Sequence, residues 1–96
     1  MNFLTLEVKE VEVCDFYQLV VTFDNDEQRL FDGEELFEMP AFQILKDYKK
    51  FKTARVENGV VVWLDGELDI SPAFLYKRGE VYDTSDLIGA EDFVTV

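Results

Sequence analysis

Apolar positions along the chain alternate at its start and then change period. Leu4, Leu6 and Val8 alternate with Thr5 and Glu7, while Val11 and Val13 continue in the opposite parity. One bent strand with a bulge near Lys9 and Glu10 explains that shift of phase. A turn at Cys14, Asp15 and Phe16 leads into Tyr17 to Phe23, where Tyr17, Leu19, Val21 and Phe23 share one face and Val20 and Thr22 the other. Asp24, Asn25 and Asp26 are turn formers whose side chains bond their own backbone, and a short strand from Arg29 to Asp32 follows. The first third therefore reads as a three-stranded meander.

Gly33 ends the alternation, and Pro40 suits the first turn of a helix, where its missing N–H goes unused. Ala41, Ile44, Leu45 and Tyr48, with Phe42 and Phe51 at the edges, recur at spacings of three and four, while Gln43, Lys46, Lys49 and Lys50 fall on the polar side. That period predicts one amphipathic helix, whose terminal lysines complement its dipole. Asn58-Gly59, between Phe51 to Glu57 and Val60 to Leu64, supplies the positive φ angles of a two-residue hairpin, and Asp65-Gly66 is expected to do the same before Glu67 to Ile70. Ser71-Pro72 reads as N-cap and first helical residue of a short helix through Lys77 that Gly79 ends.

The predicted fold class is α+β: a small antiparallel sheet in βββ-α-βββ-α order packed against one amphipathic helix, with a short second helix and an acidic C-terminal tail. Residues 1–79 form the expected single domain and residues 80–96 an acidic, apolar extension. Val60 to Leu64 is apolar throughout, which implies a central strand covered on both faces. Covering Val61, Trp63 and Val20 takes the second helix, the tail or another subunit, and a homo-oligomer is one expectation from that surplus.

Composition narrows the function. With 96 residues the chain is long enough for one core, which at this size removes roughly two-thirds of the unfolded surface from water. Nine Lys and Arg against twenty-one Asp and Glu give a net charge of -12, so binding a phosphate backbone through counterion release is not expected and nucleic acid is excluded as a partner. A DNA-binding regulator would need a helix-turn-helix, for which the elements leave no room. Absence of His and a single Cys remove imidazole acid/base chemistry, thiolate zinc clusters and intrachain disulfides. Val60 to Leu64 is the longest apolar run, far short of the roughly 20 residues of a spanning helix, so no membrane association is expected. The first residues lack a basic region and reach a carboxylate at Glu7, unlike a secretory signal, and the lone thiol suits a reducing interior. A cytoplasmic location is the expectation.

The string from Val60 to Tyr76, VVVWLDGELDISPAFLY, carries Trp63, Gly66, Asp69, Ile70, Pro72, Leu75 and Tyr76 in an order that resembles the signature of a small bacterial family, domain of unknown function 2442. Tyr17, Leu19, Val21 and Phe23 resemble that family's earlier strand, Arg29, Phe31 and Asp32 its next, and Phe42, Leu45, Asp47 and Phe51 its helical region. The similarity spans roughly residues 4 to 78, and departs from the pattern at Asn25, Asp26 and Glu27, where a Gly is expected, and in the longer acidic tail. It implies a small α+β domain, sometimes beside or fused to DNA-binding segments, with no defined catalytic residues and, for some members, antitoxin-like partnership with a companion family. Physically, Trp63 fills core, Gly66 turns the chain, Ser71 and Pro72 start a helix, and Leu75 packs it down. Tyr76 is expected at the core edge, its hydroxyl wet or bonded to Asp69.

Asp65, Glu67 and Asp69 stand at alternate positions, which on a strand would point three carboxylates to one face, the weak metal site of this sequence. A small accessory domain binding a metal ion or ligand through them is the alternative function. Asp24 to Glu35 places acids as a calcium loop would, but Arg29 and Gln28 occupy positions that need Gly and an oxygen-rich ligand, so that motif fails. No enzyme activity is predicted: Ser71 lacks an activating base, Cys14 has Asp15 beside it to raise its pKa, and the five Gly are scattered. No cofactor is expected.

Charge patterning says more. Asp24 to Glu38 contains seven acids against Arg29, Gly79 to Val96 five acids and no base, and Lys46 to Arg55 five bases against Asp47. Such segregation fits a solvated face that serves solubility, or electrostatic complementarity to a basic protein; composition together with the resemblance gives the leading expectation, a non-enzymatic interaction domain whose acidic surfaces bind a basic protein. In the tail, Val81, Tyr82, Leu87, Ile88, Phe93, Val94 and Val96 are too apolar for a solvating linker, so docking on its own domain, a second subunit or a partner is expected.

Overall fold

A computed structural model describes residues 6–81. Its fold is α+β, with the strands divided between two antiparallel sheets rather than gathered in one. The first has the order β1-β2-β3-β7, from Val8–Cys14, Gln18–Phe23, Gln28–Asp32 and Glu80–Val81, and the second the order β4-β5-β6, from Arg55–Glu57, Val60–Trp63 and Leu68–Ile70. β1 pairs with β2 through a shift of register between Val8 and Glu10, the bulge that the change of parity predicts. The second strand starts at Gln18; Tyr17 instead lies in the turn before it.

One core joins both sheets. Val8, Leu19, Val21, Phe23 and Phe31 meet Val61, Trp63 and Ile70, with Leu36, Phe42, Leu45, Phe51 and Leu75 from the helical segments. As expected, β5 is central and covered on both faces: Val61 and Trp63 belong to the core, while Val62 is buried outside it, between Arg55 and Asp69 in register. The side chains that bury the most surface are aromatic. Trp63 also donates its Nε1–H to the Phe51 carbonyl at 3.1 Å, satisfying its polar handle inside the core.

The segment expected as one amphipathic helix is helical but divided. A 3-10 helix, Pro40–Lys46, precedes a single α turn, α1, at Tyr48–Phe51, and a further 3-10 helix, Gly33–Glu38, stands before the expected segment, where the sequence predicts only a break at Gly33. Pro40 holds the predicted first position, but Asp47 breaks the run with extended dihedrals, φ -72° and ψ 108°, and its carboxylate caps the next turn by accepting from Lys49 N at 3.1 Å. A three-residue period replaces 3.6, so Phe42 and Leu45 turn inward while Ala41 and Ile44 are exposed. The core stripe is thus shifted from the one an α-helix would have.

Turn chemistry follows the sequence closely at one hairpin and less so at the next. Asn58 and Gly59 have φ of 52° and 79°, as a two-residue hairpin requires. After β5 the loop is longer: Trp63 pairs with Leu68, and Leu64, Asp65 and Gly66 all have positive φ, so Asp65-Gly66 is part of a four-residue connection. Gly33 is required for close approach. A Cβ there would lie 2.5 Å from the Tyr17 carbonyl oxygen and 2.6 Å from the Phe51 ring. Helix α2, Pro72–Arg78, starts as predicted, with Ser71 Oγ accepting from Phe74 N at 3.3 Å, and runs one residue past the expected Lys77 before Gly79 ends it. Beyond it, the chain adds β7 to the edge of β3. The expectations about Leu4 and about tail residues 82–96 lie outside the described residues.

Candidate functional site

The carboxylates singled out as a metal site do not share a strand face. Asp65, at φ 57°, and Glu67, in a helical conformation, lie in the loop between β5 and β6, and only Asp69 is in a strand. Alternation along a strand, the basis of that expectation, fails because the loop is four residues long. Among the described residues no group of three or more His, Cys, Asp or Glu is placed to hold a metal ion. The acids Asp24 and Asp26 of the rejected calcium loop lie at the β2–β3 turn, where Asn25 Oδ1 accepts from Glu27 N at 3.0 Å.

The signature residues build a scaffold. Trp63 and Leu75 are fully buried, Gly66 has φ 91°, and Pro72 opens α2. Tyr76 packs edge-on against Phe23 with its centroid 5.1 Å away, and its hydroxyl meets Glu27 of the β2–β3 turn. Arg29 stacks 4.0 Å over the same ring and approaches Glu27 at 3.4 Å. This set fastens α2 to the first sheet. The tyrosine hydroxyl, and secondarily the guanidinium, hold the Glu27 carboxyl below the usual carboxylate range. Glu27 could not be named as the partner from local spacing, because it lies on a different hairpin.

Potential chemistry at Cys14 and Ser71 is quiet. Burial raises the Cys14 thiol above its ordinary value, with Glu12 and Asp15 adding to the effect, so little thiolate forms at neutral pH. Ser71 serves as a cap.

The outward face of the four-stranded sheet is the most developed surface. Registers align Glu12, Val20, Leu30 and Glu80 in one row, Cys14, Gln18 and Asp32 in a second, and Glu10, Thr22 and Gln28 in a third. Residues directly opposite in an antiparallel pair point the same way, so these ten positions share one face. Val20 is only 8% exposed yet lies outside the core cluster, and Leu30 beside it is half-buried. Glu10, Glu12, Asp32 and Glu80 are exposed around this apolar centre, and none of the ten positions is basic. At one side, Gln18, Leu30, Asp32, Glu35, Arg78 and Glu80 line a depression of about 270 Å³. Arg78 reaches Glu35 at 3.4 Å, which leaves Asp32 and Glu80 to set the sign of the field there. Sequence reasoning located acids in Asp24 to Glu38 and in the tail; it missed Glu10 and Glu12, which join this face only through the β1–β2 register.

Five of the nine basic residues fall between Lys46 and Arg55, in a segment bonded to the β1–β2 turn through the Tyr17 and Tyr48 hydroxyls. Lys46, Lys49, Lys50 and Lys52 make no ion pair among the described residues, whereas Arg55 pairs with Glu57 at 2.7 Å. No helix among the described residues is long and apolar enough to cross a membrane.

Comparison with curated proteins found no match, and neither did comparison with solved structures. A family model described as "Protein of unknown function (DUF2442)" matches residues 8–80, from the first residue of β1 into β7. That span contains both sheets, the divided helical segment, α2 and all of the signature residues, and the chain belongs to this family of proteins of unknown function.

Proposed function

We propose that the chain is a non-enzymatic protein-interaction domain whose acidic sheet face docks a basic partner protein. The observation that carries this reading is the composition of that face: Glu10, Glu12, Asp32 and Glu80 surround Val20 and Leu30 without one basic position among them. An apolar centre with a charged rim suits a protein surface, where burial of the centre supplies affinity and the rim supplies orientation and rate. Lys or Arg side chains of a partner can lay their stems over Leu30 and place their charges by Asp32 and Glu80. The specific form that the family resemblance implies is an antitoxin-like one, with a partner that is harmful when alone.

Pull-down from native lysate with the full chain tests this, comparing wild type, Glu10→Lys/Glu12→Lys and a control of equal charge, Glu67→Lys/Asp69→Lys, at the β5–β6 loop and in β6. A basic protein retained at low salt by wild type and control, and released by high salt or by reversal on the first sheet, is the expected pattern. Retention that ignores Glu10→Lys/Glu12→Lys defeats the reading.

A further inference from the structure

The β1–β2 turn presents an aromatic ring to solvent at a backbone cost. Phe16 and Tyr17 both have φ of 62°, a region that L side chains rarely adopt, yet Phe16 is 84% exposed. The turn is held firmly: Tyr17 donates its hydroxyl to the Lys46 carbonyl, Tyr48 donates to the Cys14 carbonyl at 3.1 Å, and the Tyr17 ring packs edge-on against Phe37, Tyr48 and Phe51. Those bonds tie it to the segment that bears Ile44, 45% exposed, and the lysines that lack ion pairs. An exposed aromatic, an exposed aliphatic and lysines with no ion pair among the described residues therefore stand on two segments bonded to each other, where Asp15 and Asp47 are the interspersed acids, in a protein with a net charge of -12.

We propose that residues 82–96 of the same chain dock on these two segments. Their composition is complementary: Asp83, Asp86, Glu91 and Asp92 with no base, interspersed with Leu87, Ile88, Phe93 and Val94. Docking on the acidic sheet face would set those acids against Glu10, Glu12 and Glu80, so like-charge repulsion selects the lysine-bearing segment instead. Reach is sufficient. Val81 is in register with Arg29, which pairs with Val21, so Phe16 lies about five residues along and two strands across, roughly 20 Å at ordinary strand spacings; because Glu80 and Val81 run parallel to Val20 and Val21, the chain leaves β7 away from Phe16 and a reversal of a few residues precedes that span. About six or seven extended residues cover that distance, and fifteen follow Val81.

A nitroxide at the C-terminus of the full chain, attached in Cys14→Ser/Val96→Cys, tests the contact by amide NMR with the ascorbate-reduced sample as reference. Amide signals of Phe16, Ile44, Lys46 and Lys49 lose intensity in the oxidised sample, independently of protein concentration, and regain it when Phe16→Ser, Lys46→Glu and Lys49→Glu are added. Unchanged intensities at those four residues overturn the proposal, as does broadening centred on Glu10 and Glu12. Broadening that grows with concentration assigns the contact to a second copy, which also overturns it. Because the acidic sheet face takes no part, failure here leaves the basic-partner reading standing, and the reverse is equally true.

Discussion

Adjacent residues Ile44 and Leu45 separate a 3-10 segment from an α-helix by energetics alone. On an α-helix both would lie on the buried stripe, but here Leu45 is 0% exposed and Ile44 is 45% exposed. Leu45→Ala removes a side chain enclosed by the core and leaves a cavity, a loss of about 2–5 kcal/mol. Ile44→Ala forfeits a side chain that already contacts water over nearly half its surface, and no cavity forms, so the loss is below about 1 kcal/mol. At a urea dependence of roughly 1–1.5 kcal/mol per M, the midpoint falls by about 2–3 M for a 3 kcal/mol loss at Leu45 and by well under 1 M at Ile44. Equilibrium urea unfolding followed by the fluorescence of buried Trp63 reads both shifts. Comparable losses for the two variants would refute the three-residue period and restore a continuous amphipathic helix.

Three further outcomes follow from close contacts and titrating groups. Gly33→Ala places a Cβ 2.5 Å from the Tyr17 carbonyl oxygen, which is backbone, so thermal unfolding should show a loss of several kcal/mol, on the order of 3, and no soluble increase in stability. The folded-state pKa of Glu27 is depressed, so the stability it contributes is present above its unfolded value and disappears as pH falls through the lower folded value; Tyr76→Phe raises that folded pKa and narrows the window, as a carbon-detected NMR titration of Glu27 checks. Cys14, its thiol pKa raised by burial and then by Glu12 and Asp15, is alkylated by iodoacetamide at pH 7 more slowly than a free thiol, and Glu12→Gln accelerates the reaction.

Local signals in the sequence carried most of the fold. The parity change at Lys9 and Glu10, the Asn58-Gly59 hairpin and the Ser71-Pro72 start of α2 are each decided within a few residues, and the structure has them where local chemistry puts them. The divided helix was not legible, because Phe42, Ile44, Leu45 and Tyr48 satisfy either period to a reader of spacing, and the Asp47 break is settled by its cap to Lys49 and by packing. Division into two sheets is likewise non-local. For the site, the excess of acid was visible, but its assembly on one face depends on registers that bring Glu10 and Glu12 beside strands carrying Leu30 and Asp32. The same dependence misplaced Asp65, Glu67 and Asp69, which alternate in sequence but lie across a loop.

Docking of a basic protein on the outward face of the first sheet is the central claim, and amide NMR of the full chain with the partner retained at low salt tests it most directly. Perturbations concentrate on Glu10, Glu12, Gln18, Val20, Leu30 and Asp32 and fade as salt is added if the partner docks there. Perturbations concentrated on Arg55, Val62 and Asp69 of the second sheet, with the first sheet silent, would contradict it.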